Sequence, residues 1–133
     1  MRSPDEEPVP EHRLVRRWAR AVNARDPDTL VGLSTHDIQL HPMQVGISGH
    51  YRGHDGLRRW IEDLVASDLG HQVEFRGIRT LPDGRVALFG ELFLGDTSIS
   101  PYSLIATLRD GAVATTRSYL SDEETLKLLK LLE

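Results

Sequence analysis

The sequence predicts a single α+β domain, with helices covering one face of a curved antiparallel sheet. In the first half of the chain, apolar residues recur at helical spacing. In the second half, four strand-like runs are separated by short turn segments. Helices that precede a series of hairpins are typical of α+β folds, in which the helices pack on one side of the sheet. A sheet that curls around helices leaves a cavity at its wide end.

The length and composition suit one soluble domain. The 133 residues fall within the usual size of a single domain. Residues 1–9 contain three acidic residues and two prolines, and we expect them to form a flexible tail. Residues 10–133 then make up the domain. The tail lacks the apolar segment of a signal peptide, so a cytoplasmic location is expected.

Composition also argues against several functional classes. The net charge is −4, and no block of like charges is present that would bind nucleic acid. There are no cysteines, which excludes disulfides and thiolate metal ligands. The apolar runs are too short to span a bilayer, so no membrane association is expected. The sequence has no glycine-rich phosphate loop, and we expect no cofactor.

Three helices are predicted before the strands. The first begins at Pro10, ends near Arg25, and has apolar residues at helical spacing: Leu14, Val15, Trp18, Ala21 and Val22. Asp26 and Pro27 form an N-cap followed by a proline, which predicts a short second helix. The third ends by Gly70 and carries Leu57, Trp60, Ile61, Leu64 and Val65.

Five strands follow from alternation and turn chemistry. Residues 37–41 form a short strand in which Ile38 and Leu40 alternate with polar neighbours, and residues 43–53 are predicted to be a loop. The other strands are residues 71–81, 85–95, 98–109 and 112–120, and short turns make these four antiparallel. A capping box at residues 121–124 predicts a C-terminal helix.

Several segments in this order resemble the SnoaL-like branch of the nuclear-transport-factor-2-like superfamily, which includes polyketide cyclases and ketosteroid isomerases. The segments are RLVRRWARAVNARDPDTLVGL, DIQLHP, YRGHDGLRRWIEDL, LRDGAV and TRSYLSDEETL. The resemblance implies a cone-shaped sheet wrapped around the N-terminal helices, with an apolar pocket open to a small molecule. It does not define the chemistry, because the superfamily contains several enzyme classes and non-catalytic binders.

The resemblance to ketosteroid isomerases permits a sharper test. Trp18 stands where those enzymes have an oxyanion-hole tyrosine, and His41 with Pro42 stands where they have the catalytic aspartate. Leu104 falls near their second oxyanion-hole residue, an aspartate. Since all three positions differ, steroid isomerisation by that mechanism is not expected. The residue set of limonene-type epoxide hydrolases also has no clear counterpart.

His41 and Glu91 are the candidate catalytic residues. His41 closes a strand expected to end at the pocket, where an imidazole is a natural general base; the alternative is a solvated histidine at a strand end. Glu91 lies in the apolar run VALFGELFLG. Facing inward, its carboxyl would be desolvated and its pKa raised; facing outward, it would meet solvent or a dimer partner. Both faces of this run are apolar, and only the isomerase resemblance favours the inward orientation.

Aromatic and hydroxyl side chains are the candidate substrate-binding residues, although several of the aromatic residues would serve equally well as core. They are Trp18, Tyr51, Trp60, Phe89, Tyr102, Leu104, Thr116 and Ser118. Thr116 and Ser118 are expected to share one face of the last strand, with Arg117 on the other. Four histidines are candidates for a metal site: His36, His41, His50 and His54. Among the pairs that they form, only His50 and His54 have the i, i+4 spacing of a helical metal site. Those two straddle a loop, so no metal is expected.

Three functions remain open at this point. The first is a cofactor-independent enzyme of the cyclase, isomerase or dehydratase type, acting on a hydrophobic metabolite by proton transfer. The second is a non-catalytic module that binds a small hydrophobic molecule. The third is a structural homodimer. A homodimer is expected in each case, because both faces of two strands are apolar and only one face can meet the helices.

Overall fold

Three helices form one layer of the described fold. The computed structural model describes residues 9–42, 51–66 and 71–119. The helices are α1 (Pro10–Asn23), α2 (Pro27–Leu33) and α3 (Gly53–Ala66), so all three predicted helices are confirmed. The apolar spacing of α1 buries one side of the helix, namely Val15, Trp18, Ala19 and Ala21.

The junction between α1 and α2 is formed by local chemistry. Arg25 has a positive φ of 56°, which turns the chain after α1. The Asp26 carboxylate then accepts hydrogen bonds from the Thr29 backbone N–H at 3.2 Å and from the Thr29 hydroxyl at 2.6 Å. These bonds stabilise the ionised form and lower the pKa of Asp26. Asp26 is therefore the N-cap of α2, and Pro27 occupies the first turn, as the sequence predicts.

Six strands form one sheet in the described part of the chain. They are β1 (Ser34–His41), β2 (Tyr51–Arg52), β3 (His71–Thr80), β4 (Val86–Leu94), β5 (Thr97–Arg109) and β6 (Ala112–Tyr119). Their order across the sheet is β2-β1-β6-β5-β4-β3. β3 to β6 form an antiparallel meander, as predicted. Asp110 and Gly111 both have positive φ, at 53° and 75°, which is typical of the two-residue turn that joins β5 to β6.

The sheet is mixed, and this differs from the wholly antiparallel sheet that was predicted. β1 runs parallel to β6, with Leu40 opposite Thr116. Parallel neighbours need a long connection, which α3 and the intervening strands supply. The turns that predicted the meander carry no information about which strand β1 joins. β2 lies at the end of the segment predicted as a loop and pairs antiparallel with β1.

The sheet has two faces with different cover. We call the face packed against the helices the inner face and the opposite one the outer face. Residues of the inner face join the helices in the main core: Ile38, Leu40, Ile78, Val86, Leu88, Leu104, Ala106 and Val113. A smaller cluster on the outer face contains Leu81, Ala87 and Ile105, with Phe89 and Tyr119 packed against it. β4 therefore buries apolar residues on both of its faces.

The edge strand β3 is attached to the end of α1 by one side chain. The Asn23 amide nitrogen donates to the Val73 carbonyl oxygen at 2.8 Å, and the Val73 N–H donates to Asn23 Oδ1 at 3.1 Å. The amide of Asn23 thereby pairs with β3 much as a neighbouring strand would. The Gln72 side chain also donates to the Asn23 carbonyl at 3.1 Å. These three bonds fix β3 against the helical layer.

Some predicted segments lie outside the described residues. They are residues 1–8 of the predicted tail, the part of the predicted loop at residues 43–50, and the C-terminal helix with its capping box. Among the described helices, none has the length and apolar content needed to cross a membrane.

Candidate functional site

Two stacked tryptophans stand at the centre of the helix–sheet interface. The rings of Trp18 on α1 and Trp60 on α3 have centroids 6.0 Å apart and an interplanar angle of 19°. Trp18 Nε1–H donates to Ser34 Oγ at 3.1 Å, and the Ser34 hydroxyl donates to the Leu30 carbonyl at 2.6 Å. The polar atom of Trp18 is therefore paired within the core. Both residues belong to the hydrophobic core, which was one of the two predicted roles, and their role as pocket walls stays a prediction.

The indole N–H of Trp60 differs from that of Trp18. Trp60 is only 7% exposed, and among the described residues its Nε1 has no hydrogen-bond partner. A buried tryptophan N–H usually has a partner, because an unpaired donor loses its hydration on burial without compensation. This atom is thus a donor held in an apolar environment.

Tyr102 on β5 supplies a second polar group on the inner face. Its hydroxyl lies 2.7 Å from Ser118 Oγ on β6, and either atom can be the donor. Its ring packs edge-on against Phe75 on β3, with centroids 6.0 Å apart. Burial raises the pKa of Tyr102, and the hydrogen bond with Ser118 lowers it by less. Tyr102 is therefore a neutral hydroxyl at physiological pH.

Gly90 of β4 lies between Phe75 and Tyr102 in the sheet, and it lets the backbone of β3 approach β4 closely. Gly90 is paired with Phe75 on one side and with Tyr102 on the other. A Cβ at Gly90 would overlap the Glu74 carbonyl oxygen and would lie 2.9 Å from the Phe75 Cα. The sequence predicted no role for Phe75 or Gly90. An isolated glycine within a strand is itself a signal of close backbone approach.

Three more predicted residues lie on the inner face with Tyr102. Leu104 pairs with Ser118, and Thr116 pairs with Ala106. Leu104, Thr116 and Ser118 are all buried. Arg117, between the two hydroxyl residues, is exposed on the other face, as predicted. The structure thus brings Trp18, Trp60, Tyr102, Leu104, Thr116 and Ser118 to one side of the sheet.

Tyr51 lies at the edge of this region, on β2. Its hydroxyl donates to Asp63 Oδ2 on α3 at 2.6 Å, and the guanidinium of Arg59 lies 5.5 Å from the centre of its ring. Burial, together with the hydrogen bond to the Asp63 carboxylate, raises the pKa of Tyr51 to about 12. Its hydroxyl is therefore committed to the contact with α3.

His41 ends β1, as predicted, but it lies on the outer face and not on the inner face, where the sequence predicts the pocket. Leu40 is buried in the inner core, so the next residue along the strand points the opposite way. The pairing agrees, because His41 is opposite Arg117 and Arg117 is opposite Ile105 of the outer cluster. The imidazole is half-buried there.

The inward orientation that was favoured for Glu91 is wrong, and Phe89 is likewise on the outer face. Along β4, Val86 and Leu88 belong to the inner core, whereas Ala87 packs in the outer cluster with Phe89. Strand alternation places Glu91 on the same side as Ala87 and Phe89. Glu91 Oε2 lies 3.4 Å from a guanidinium nitrogen of Arg76. Neither Phe89 nor Glu91 therefore joins the inner-face residues.

Histidines also meet at the start of α3. The rings of His36 and His54 are stacked with centroids 5.5 Å apart, and His54 Nε2 lies 3.4 Å from the Ser34 carbonyl oxygen. Within residues 9–42, 51–66 and 71–119, no group of three His, Asp or Glu residues is arranged to hold a metal. His50 lies outside the described residues.

Comparisons with known proteins agree with this architecture. A sequence model of the family described as SnoaL-like domain matches residues 15–118. Bal32a, from a soil-derived mobile gene cassette, has a TM-score of 0.72 at 19% identity, with 93% of this chain and 97% of that chain covered. A candidate polyketide cyclase from Sinorhizobium meliloti has a TM-score of 0.67 at 15% identity, with 89% and 100% covered.

A third protein of similar structure was crystallised with a small molecule. TerC, co-crystallised with polyporic acid, has a TM-score of 0.67 at 21% identity, with 92% of this chain and 99% of that chain covered. At such identities these likenesses show a shared fold. No curated protein matches the sequence significantly.

Proposed function

The chain belongs to the SnoaL-like domain family, and we propose that it binds a small, largely hydrophobic molecule against the inner face of its sheet. The observation that carries this proposal is the Tyr102–Ser118 hydroxyl pair, set among apolar core residues. Small-molecule sites are mostly apolar and contain a few polar groups that orient the ligand. The inner face has this composition.

The absence of charge on the described inner face supports a hydrophobic ligand. On β3 to β6, the inner-face residues of the core are aromatic, aliphatic or hydroxyl-bearing: Phe75, Ile78, Val86, Leu88, Tyr102, Leu104, Ala106, Leu108, Val113, Thr116 and Ser118. The buried residues of α1 and α3 are also uncharged. A charged ligand would lose its hydration here with no opposite charge to compensate.

The likeness to other proteins is compatible with the same proposal. TerC was co-crystallised with polyporic acid and shares the fold with this chain. The fold alone does not carry a function from one protein to another, so the inner-face side chains remain the principal support.

The first test is a titration of the full-length protein, labelled with ¹³C in its methyl groups, with tetralin, a bicyclic hydrocarbon, followed by methyl chemical shifts. Leu88 and Leu104 face inward, whereas the neighbouring residues Ala87 and Ile105 face outward and serve as internal controls. We expect saturable shifts centred on the inward residues. An absence of saturable shifts, or shifts centred on the outward residues, would refute the proposed site.

Proton transfer by His41 and Glu91 stays a prediction, and the outer-face position of both residues favours binding over catalysis. A direct test measures exchange of the α-protons of 1-tetralone in D₂O with and without the protein. An acceleration that is lost in His41→Ala or Glu91→Gln would support the enzyme. An acceleration that persists in both variants, or no acceleration, would remove these residues as the catalytic pair.

The expected homodimer is also a proposal. Phe89 and Tyr119 are half-buried on the outer face, and Ile99 on β5 is 52% exposed, so apolar surface is available for a second copy. However, Ala87 and Ile105 are already buried within one chain, at 0% and 3% exposure. Light scattering coupled to size exclusion measures the mass directly. A mass of one chain at high micromolar concentration would contradict the homodimer.

A further inference from the structure

Trp60 and Trp18 form one stacked pair, and the hydrogen bonding of their indole N–H groups can be compared directly. Both indoles are buried, at 7% and 2% exposure. The N–H of Trp18 is paired with Ser34, whereas that of Trp60 has no partner among the described residues. Both rings belong to one hydrophobic core and stack on each other, and they differ in whether the indole N–H is paired. Trp60 therefore holds a donor that the surrounding residues leave unused.

The hydroxyl pair on the inner face has a donor to spare as well. Tyr102 and Ser118 each carry one O–H, and the single bond between them uses only one of the two protons. The structure gives neither hydroxyl another hydrogen-bond partner within the described residues. One hydroxyl proton is therefore available to a further acceptor. Together with the indole N–H of Trp60 on α3, the described core therefore holds two donor hydrogens that are not used in a hydrogen bond.

The charge of this face restricts the kind of acceptor. No lysine or arginine is among the core residues of the inner face on β3 to β6, or among the buried residues of α1 and α3. A carboxylate or phosphate placed there would be a buried anion without a counter-charge, which is costly. A carbonyl oxygen accepts hydrogen bonds without carrying a full charge. It therefore fits the donors and the apolar surroundings together.

We propose that Trp60 is a specificity-determining residue, whose Nε1–H donates to a carbonyl oxygen of an uncharged cyclic or aromatic ligand. This inference rests on the proposed function, because it requires a ligand on the inner face. It assigns Trp60 a role in recognition in addition to its place in the core. A ligand of the same shape without the carbonyl would leave the indole N–H unpaired.

The test compares 1-tetralone with tetralin, which has the same bicyclic frame without the carbonyl. The chain has two tryptophans, so a ¹H–¹⁵N spectrum shows two indole signals, and Trp18→Phe identifies the signal of Trp60. In the unaltered protein, we expect 1-tetralone to move the Trp60 indole proton downfield and tetralin not to do so. The Trp18 indole, already bonded to Ser34, provides the comparison within the same spectrum.

Trp60→Phe supplies a second measurement, because phenylalanine keeps an aromatic ring and removes the N–H. The ratio of the 1-tetralone affinity to the tetralin affinity should fall by about two- to tenfold in this variant, the range expected for one hydrogen bond. If the variant does not fold, the indole shift of the unaltered protein still shows whether the Trp60 Nε1–H donates to the carbonyl.

The possible outcomes separate the two proposals. Binding of both ligands on the inner face, with no downfield shift of the Trp60 indole, would overturn the role of Trp60 and leave the binding proposal intact. The absence of inner-face shifts with either ligand would overturn the binding proposal and the role of Trp60 with it. An equal affinity ratio in the unaltered protein and in Trp60→Phe would also overturn the role of Trp60.

Discussion

Replacing Asn23 with alanine should destabilise the protein by removing the attachment of β3 to α1. The side chain of Asn23 makes two hydrogen bonds with the backbone of Val73, at 2.8 Å and 3.1 Å. β3 is an edge strand of the sheet, and within the described residues no other strand lies on that side to replace these bonds. The substitution leaves both helix α1 and the sheet ladder otherwise unchanged.

The expected magnitude follows from these two bonds. A hydrogen bond in a protein contributes about 0.5–1.5 kcal/mol net, so two contribute about 1–3 kcal/mol. Alanine favours helix more than asparagine does, by about 0.5 kcal/mol, which offsets part of the loss. The Val73 groups can also bind water once they are released at the edge. We therefore expect the free energy of unfolding to fall by about 1–2 kcal/mol.

Urea denaturation and amide hydrogen exchange together measure this effect. The free energy of unfolding should fall with an unchanged m-value, and the Val73 amide should lose protection. Asn23→Asp keeps an acceptor for the Val73 N–H but removes the donor, and it sets a carboxylate against the Val73 carbonyl. It should destabilise the protein at least as much as alanine does. Gln72→Ala, which removes one exposed bond to the Asn23 carbonyl, is the control and should cost less than about 0.5 kcal/mol.

Unaltered exchange of the Val73 amide in Asn23→Ala would refute the reasoning, because it would show that the amide contact does not protect the edge. A destabilisation no larger than that of Gln72→Ala would do the same. A large loss of stability with a changed m-value would instead show that the substitution alters the extent of unfolding, contrary to the local effect expected here.

Three further predictions concern other sites. Gly90→Ala should destabilise the protein by about 2–3 kcal/mol in urea denaturation, because the Cβ of the alanine would overlap the Glu74 carbonyl oxygen. A loss of less than about 0.5 kcal/mol would contradict that geometry. Tyr51 should ionise near pH 12 in an ultraviolet titration, and Tyr51→Phe should remove this component of the curve. Since an unfolded tyrosine ionises near 10.0, the contribution of Tyr51 to stability should fall as pH rises from 10.0 toward 12. The Asp26 carboxyl should titrate below pH 3.8 by NMR, and its contribution to stability should be present at neutral pH and lost as pH falls below 3.8. Thr29→Val should raise the midpoint of the Asp26 titration. An unchanged midpoint would be evidence against the contact between Asp26 and the Thr29 hydroxyl.

Local signals predicted most of the fold. Asp26 followed by Pro27 marks the start of α2 within a few residues, since the capping bond is made to Thr29. Asp110 and Gly111 likewise fix one hairpin through their own backbone angles. These features depend on neighbours in the sequence, so a single chain is sufficient to detect them. The parallel pairing of β1 with β6 depends on distant residues, and no local signal predicted it.

The candidate site was predicted unevenly, and strand parity explains why. The inner-face position of Tyr102, Leu104, Thr116 and Ser118 follows from alternation once one of them is known to be buried. The outward position of His41 also follows from alternation, because Leu40 is apolar and buried. The prediction for His41 rested instead on the expectation that this strand ends at the pocket.

Glu91 could not be placed by the same rule. β4 carries apolar side chains on both faces, with Leu88 on the inner side and Ala87 and Phe89 on the outer side. Alternation then assigns residues to two groups without showing which group meets the helices. Trp60 presents a different difficulty, because its spacing predicts a core residue correctly. The unpaired N–H that suggests a role in recognition is visible only when its surroundings are known.

The parallel pairing of β1 with β6 has a consequence for how the chain acquires its structure. β1 is made early and flanks only the two-residue β2 until β6 has been synthesised. Leu40 meets its partner Thr116 only after α3 and three further strands have been added to the chain. Contacts between residues so distant in sequence close a long loop, and such contacts slow folding. The sheet is therefore completed late, and in a nascent chain truncated before β6 the edge of β1 that pairs with β6 would be left exposed.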